Sequence, residues 1–209
     1  MSEKVLSAAN QQGSLYQKDP SETIRRTPIS QKEIIAYLLG ALHDGTLNKG
    51  KRFRISQKDK RWLEKLKALL KQIGYNSWIY REGKHREVFV LETLASFLDF
   101  SFDPLVLKSQ KEQMSYVKGF FDAEGGMPHN ALSRFYIQLV QNDKNKLECI
   151  KAILERLSIE CGKIHNPSKN VAPNYWRVYV LARSHISFAM KINSWHPRKK
   201  QIFRERMMI

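Results

Sequence analysis

The chain has 209 residues, with 36 Lys and Arg against 20 Asp and Glu, a formal charge of +16 at pH 7. Its length allows one large domain or two small ones, and 42% apolar residues suffice for a packed core, which excludes general disorder. No run approaches the roughly 18 apolar residues of a membrane span, the N-terminus lacks an apolar secretory core, and Cys149 and Cys161 offer neither a disulfide framework nor a zinc spacing; the chain reads as cytoplasmic, and its charge points to a polyanion, nucleic acid first.

Residues 1–30 are polar without a clear period and read as an N-terminal extension. Ser30 caps a predicted helix over 31–43, with Glu33 as capping-box partner. Asp44-Gly45 ends it, and strands follow at 44–48 and 51–57. Asp59 caps a helix over 60–73, whose Trp62, Leu63, Leu66, Leu69, Leu70 and Ile73 keep helical spacing, and Gly74 closes it. Strands at 76–81 and 87–91 turn at Glu82-Gly83-Lys84, and a short helix over 92–99 completes a first unit, 31–99. Residues 100–111, with Pro104, form a linker. A second unit runs over 112–195, and 196–209 is a basic tail.

The second unit repeats the first. Gln57–Leu70 and Gln141–Leu154 agree at eight of fourteen positions, offset by 84: Gln57/Gln141, Asp59/Asp143, Lys60/Lys144, Leu63/Leu147, Glu64/Glu148, Lys67/Lys151, Ala68/Ala152 and Leu70/Leu154. Val88–Leu91 answers Val178–Leu181, and Tyr37–Gly45 answers Tyr116–Gly125. Such a duplication predicts a dimer fused into one chain about a pseudo-two-fold axis, an α+β fold with two four-stranded antiparallel sheets.

Two equivalent helices thus each end in an acid followed by glycine, Asp44-Gly45 and Glu124-Gly125. Ala36 with Gly40, and Gly119 with Ala123, put small residues four apart on one face, which suits close helix packing. The glycine after each acid is free to take a positive φ and turn the chain sharply. Two carboxylates brought together repel, and a hard divalent cation with oxygen ligands, Mg²⁺ rather than zinc, relieves them. Beside a basic surface such a centre suits phosphodiester hydrolysis. The first copy is one residue shorter: five steps separate Gly119 from Glu124, four separate Gly40 from Asp44. Aligning the acids, which keeps the turn, sets Leu39 against Gly119 and His43 against Ala123; His43 reads first as a packing residue, with contact to phosphate or metal as the alternative.

Val117-Lys-Gly-Phe-Phe-Asp-Ala-Glu-Gly125 resembles a full LAGLIDADG motif, and Leu38-Leu-Gly-Ala-Leu-His-Asp-Gly45 a shorter one. The chain is similar over about 31–195 to single-chain, two-motif LAGLIDADG homing endonucleases. The resemblance implies a pseudo-symmetric αββαββα fold repeated twice, a monomer acting as a pseudo-dimer, two saddle-shaped sheets in the major groove of double-stranded DNA, and Mg²⁺-dependent cleavage of both strands, with Mn²⁺ or Ca²⁺ able to replace Mg²⁺ in binding. It assigns the metal to Asp44 and Glu124 with their glycines Gly45 and Gly125, and catalytic support to Gln57, Lys58 and Gln141. Asn142 stands opposite Lys58, so the second copy lacks one basic helper. A cleavage-deficient DNA- or RNA-binding protein of this fold, a maturase or regulator, and a strand-specific nickase stay open beside the endonuclease.

Strands rise about 3.4 Å per residue, close to the base-pair spacing, and a two-stranded ribbon fits the major groove. The candidate DNA-binding residues in the first copy are Lys49, Lys51, Arg52, Arg54, Tyr80, Arg81, Lys84, His85 and Arg86. In the second they are Arg134, Tyr136, Gln138, Lys163, His165, Asn166, Lys169, Asn170 and Arg177. Their clustering on strands and hairpins, rather than any one member, carries this assignment.

Overall fold

A computed structural model describes residues 28–83, 86–130 and 132–207. The expected N-terminal extension falls almost wholly outside the described residues, as do Lys84 and His85. Among the described residues no helix is long and apolar enough to cross a membrane.

The Ser30 hydroxyl accepts from the Glu33 amide at 3.2 Å and starts α1 (Gln31–Ala41). A 3₁₀ turn, Leu42–Asp44, extends the helix. The hairpin β1 (Gly45–Asn48) and β2 (Arg52–Gln57) follows, turned by Lys49 and Gly50 at φ 50° and 64°. Two left-handed central residues match the twist of a tight hairpin. Asp59 caps α2 (Lys60–Gln72), and Gly74 closes it at φ 86°. Then come β3 (Ser77–Arg81) and β4 (Phe89–Thr93). The second half runs α3 (Gln110–Glu124), β5 (Gly125–Gly126), β6 (Gln138–Gln141), α4 (Lys144–Arg156), β7 (Trp176–Tyr179) and α5 (His185–Lys191). A last helix, α6 (Pro197–Met207), follows.

The architecture is α+β and duplicated. Strands of the first sheet are antiparallel in the order β1-β2-β4-β3; β5-β6-β7 repeats the first three positions. The fourth strand of the second sheet is reduced to two bridges, Cys161 with Val180 and His165 with Arg177. Gly45 pairs with Ile55 as Gly125 pairs with Leu139, and Leu91 opposes Ile55 as Val178 opposes Leu139. Phe89–Glu92 therefore answers Trp176–Tyr179, which corrects the expected match of Val88–Leu91 with Val178–Leu181.

The helix expected over 92–99 does not form. Glu92 and Thr93 complete β4, because they pair on both sides, Glu92 with Arg54 and with Trp78. The tail expected at 196–209 is also no loose end: α6 packs on the second half, with Phe203 in its core.

Each half has its own core. In the first, Trp62, Leu63, Leu66, Leu69 and Leu70 of α2 seat on Ile55 and Leu91 of the sheet. Burial of each such side chain is worth about 1.5–3 kcal/mol. Helix α1 is buried almost all round because it serves both halves: Ile34, Tyr37 and Leu38 face the first core, Ala36 and Leu39 the second.

Candidate active site

Helices α1 and α3 cross at two glycines. A Cβ added to Gly40 would run into the Tyr116 carbonyl and lie 2.8 Å from the Phe120 amide nitrogen. One added to Gly119 would run into the Tyr37 carbonyl and lie 2.8 Å from the Ala41 nitrogen. The two glycines are thus pseudo-symmetric partners, which corrects the pairing of Leu39 with Gly119. Ala36 and Ala123 flank the crossing on opposite sides, each packed against the other half's core.

The acids align as well, because the missing residue is absorbed after Leu42. Three 3₁₀ residues rise about 6 Å, as do four α residues. Leu42–Asp44 therefore covers the axial distance of Phe121–Glu124. The Gly45 N–H bonds back to Leu42, three residues before it; the Gly125 N–H bonds to Phe121, four before it. Neither glycine takes the expected positive φ. Gly45 has φ −99° and Gly125 φ −79°, both extended. Glycine is required for space: a Cβ on Gly125 would strike the Phe121 ring, and one on Gly45 would lie 2.7 Å from the Leu42 carbonyl.

Asp44 and Glu124 end these helices in partly buried positions. Burial pushes Asp44 up to about 6, against the hydrogen bond from Gln57 and the charge of Lys199. Burial and then the charge of Asp44 push Glu124 up to about 7, against Lys199. The two acids feel each other across the helix junction. Gln57 reaches Asp44 through its side-chain amide because it shares the inward phase of Phe53 and Ile55 on β2.

The second half differs. Gln141 holds the equivalent strand position but turns to His43, with Nε2 3.2 Å from Nδ1. The other ring nitrogen of His43 lies 2.8 Å from the Tyr116 hydroxyl. Burial, with Lys146 nearby, lowers His43 to about 4, so the ring is neutral. With the amide donating to Nδ1, Nε2 carries the proton and donates to Tyr116. Among the described residues none hydrogen-bonds the Glu124 carboxylate.

Lys58 lies exposed on the turn before α2. The cation coupled to both acids is instead Lys199 of α6. Its ammonium donates to the backbone carbonyls of Phe121 and Asp122, the latter at 2.9 Å. Sequence reasoning missed it inside a basic run, although Lys199, Ile202, Phe203 and Arg206 share one helical face. Asp122 was missed too. It is buried and takes hydrogen bonds from Tyr37, Ser194 and the Trp195 amide. A cavity of about 250 Å³ opens here, lined by Gln57, Gly125, Tyr136, Gln138, Arg198 and Lys199 among others.

The outer face of the first sheet carries Arg52, Arg54, Trp78 and Tyr80 around a buried acid, Glu92. Glu92 pairs with Arg54 at 3.1 Å and Arg52 at 3.5 Å, and accepts from Tyr80 at 2.9 Å. Burial works to raise this carboxylate, but hydrogen bonds from Tyr80 and Asn48 and the two arginines hold it below its ordinary range. Lys49 and Lys51 are exposed in the turn between β1 and β2, Arg86 is exposed ahead of β4, and Arg81 ends β3. In the second half Gln138 and Arg177 share the outer face, and Arg177 bonds Tyr179 at 2.8 Å and Tyr175 at 3.2 Å. Arg134, Lys163, His165 and Lys169 are exposed, as is Asn170; Tyr136 is partly covered. Asn166 shapes its own loop, its amide donating to the Ala172 and Pro173 carbonyls.

Two halves hung from glycine-packed helices, each delivering one acid, make a single-chain pseudo-dimer. Residues 32–99 and 111–193 match the model of the LAGLIDADG-like domain family, and the chain belongs to that family. It is 26% identical over 195 residues to homing endonuclease I-ApeI of Aeropyrum pernix, covering 81% of this chain and 85% of that protein. It is 23% identical over 154 residues to an uncharacterised protein of Methanocaldococcus jannaschii, covering 65% of this chain and 59% of that one. Among solved structures it resembles I-DmoI in complex with DNA and Ca, with TM-score 0.65, 18% identity, and 85% and 100% of the two chains covered. It also resembles the N-terminal LAGLIDADG domain of WhiA, with TM-score 0.62, 20% identity, and 80% and 84% covered.

Proposed function

We propose that this protein is a site-specific, divalent-metal-dependent endonuclease of double-stranded DNA. One observation carries the reading: two electrostatically coupled carboxylates, one from each half, sit at the junction of the two motif helices. Like charges raised toward neutrality by burial are a donor set suited to a hard cation with retained waters. Asp44 and Glu124 would hold it, and an ion bound there supplies a hydroxide-like water and charge stabilisation at phosphate. Gln57 orients the Asp44 carboxylate. Arg52, Arg54, Arg177 and the exposed lysines of the hairpins meet the backbone phosphates and base edges of the groove. The relation to I-ApeI and the fold shared with I-DmoI support this reading.

The orientation of Gln141 toward His43 favours unequal half-sites, so strand-specific nicking is the second form of the same activity. The test is cleavage of a target library with Mg²⁺, read strand by strand, for wild type, Asp44→Asn and Glu124→Gln. The reading expects cleavage by wild type alone; DNA binding without cleavage at any metal concentration makes the protein a binding module.

A further inference from the structure

We propose that α6 is part of the cleavage machinery, with Lys199 as the positioning residue that fixes the helix turn carrying Glu124. The proposal rests on the endonuclease reading and extends it beyond the family-matched segments, which end at residue 193.

Three observations carry it. First, Lys199 donates to the Phe121 and Asp122 carbonyls, in the last turn before Glu124. The Phe121 carbonyl also accepts from the Gly125 amide, while carbonyls at a helix C-terminus otherwise run out of helical donors, and a cation there suits the helix dipole. Second, the hydrogen bonds of Lys199 do not go to the Asp122 carboxylate, which accepts from Tyr37, Ser194 and the Trp195 amide. The ammonium attracts that carboxylate through space, as it does Asp44 and Glu124, but its hydrogen bonds are made to the end of the helix. Third, α6 is anchored at the middle and the C-terminal end of its inner face. Phe203 lies in the core 5.8 Å from the Phe121 ring, and Arg206 donates to the Ser133 carbonyl at 2.9 Å.

Lys199 also answers an imbalance between the halves. Gln57 bonds Asp44 in the first half, whereas its counterpart Gln141 is engaged by His43. Glu124 thus lacks help from its own sheet. The turn that holds it is braced from outside the duplicated unit, and the cavity beside it is walled by Arg198 and Lys199.

The test uses the full chain bound to its selected target in Ca²⁺, with cleavage then started by Mg²⁺. The rate is read on preformed complex, so partial unfolding of a free variant does not enter. Lys199→Gln keeps hydrogen-bond donors and loses the charge; Lys199→Met loses both; Lys199→Arg keeps the charge. The two neutral variants are expected to cleave roughly 30–100-fold more slowly, with affinity in Ca²⁺ within about threefold of wild type. Lys199→Arg is expected to recover at least about a tenth of the wild-type rate. Neutral variants that cleave at the wild-type rate beside an inactive Glu124→Gln would overturn the role of Lys199 and leave the nuclease standing. Equal loss in all three variants would reduce Lys199 to packing. An inactive wild type removes the endonuclease reading and this proposal with it.

Discussion

The Tyr37 hydroxyl donates to the buried Asp122 carboxylate at 2.7 Å, crossing from the first motif helix to the second. A second crossing joins His43 of the first half to Tyr116 of the second, Nε2–H donating to the hydroxyl at 2.8 Å. The two helices are therefore strapped twice, once through a buried carboxyl group and once through a neutral imidazole. Tyr37 also accepts from the Trp62 indole at 3.0 Å, so Tyr37→Phe orphans two buried groups. It is expected to cost about 2–3 kcal/mol, against about 1 kcal/mol for Tyr116→Phe. Urea unfolding of both variants checks the order; equal costs would contradict it.

The glycine crossing sets a harder limit. At Gly40 and Gly119 a new Cβ meets backbone of the opposite helix, which has no rotamer to yield. Gly40→Ala and Gly119→Ala should each cost at least about 3 kcal/mol or prevent folding. Gly74→Ala, with open space but φ 86°, should cost only about 1 kcal/mol. Thermal melts of the three variants distinguish clash from backbone strain.

Burial and the charge of Asp44 push Glu124 up to about 7 in the fold from an ordinary 4.5. A raised folded value favours the native state at low pH, and that advantage is lost as pH rises through about 7. In EDTA, Glu124→Gln should therefore match wild type near about pH 5 and exceed it near about pH 8. Discounted for partial exposure, the gain at pH 8 is on the order of 1 kcal/mol. Differential scanning calorimetry across this range reads it, and a gain that shrinks with rising pH would contradict the sign.

Glu92 neutralises Arg52 and Arg54 at the centre of the outer face of the first sheet. Glu92→Gln frees both arginines for phosphate. Binding to random DNA should strengthen, discrimination should fall, and the salt slope should steepen by about one. Titrations with selected and random duplexes at two salt concentrations measure all three.

His43 holds Gln141 away from the second acid, and its ring is neutral at assay pH. His43→Ala releases the glutamine. The ratio of the two strand-cleavage rates should change by at least about threefold. Strand-labelled single-turnover kinetics report it; an unchanged ratio would show that Gln141 plays no part.

The duplication, the capped helices and the acid-glycine endings were legible in the linear chain because each is local. A cap needs one side chain near one amide, as Ser30, Asp59 and Asp143 each have, and a repeat needs only matching spacing. What tertiary structure decided depends on partners far apart in sequence. Glu92 stayed in a strand rather than a helix because Arg54 and Trp78 flank it. The one-residue deficit in the first motif vanished into a 3₁₀ turn once Gly40 and Gly119 set the crossing. Lys199 reached the last turn of α3 because Phe203 pinned α6 to a core formed mostly by residues 116–192. Local propensity specifies which elements form, whereas long-range packing specifies which charges are brought together out of water.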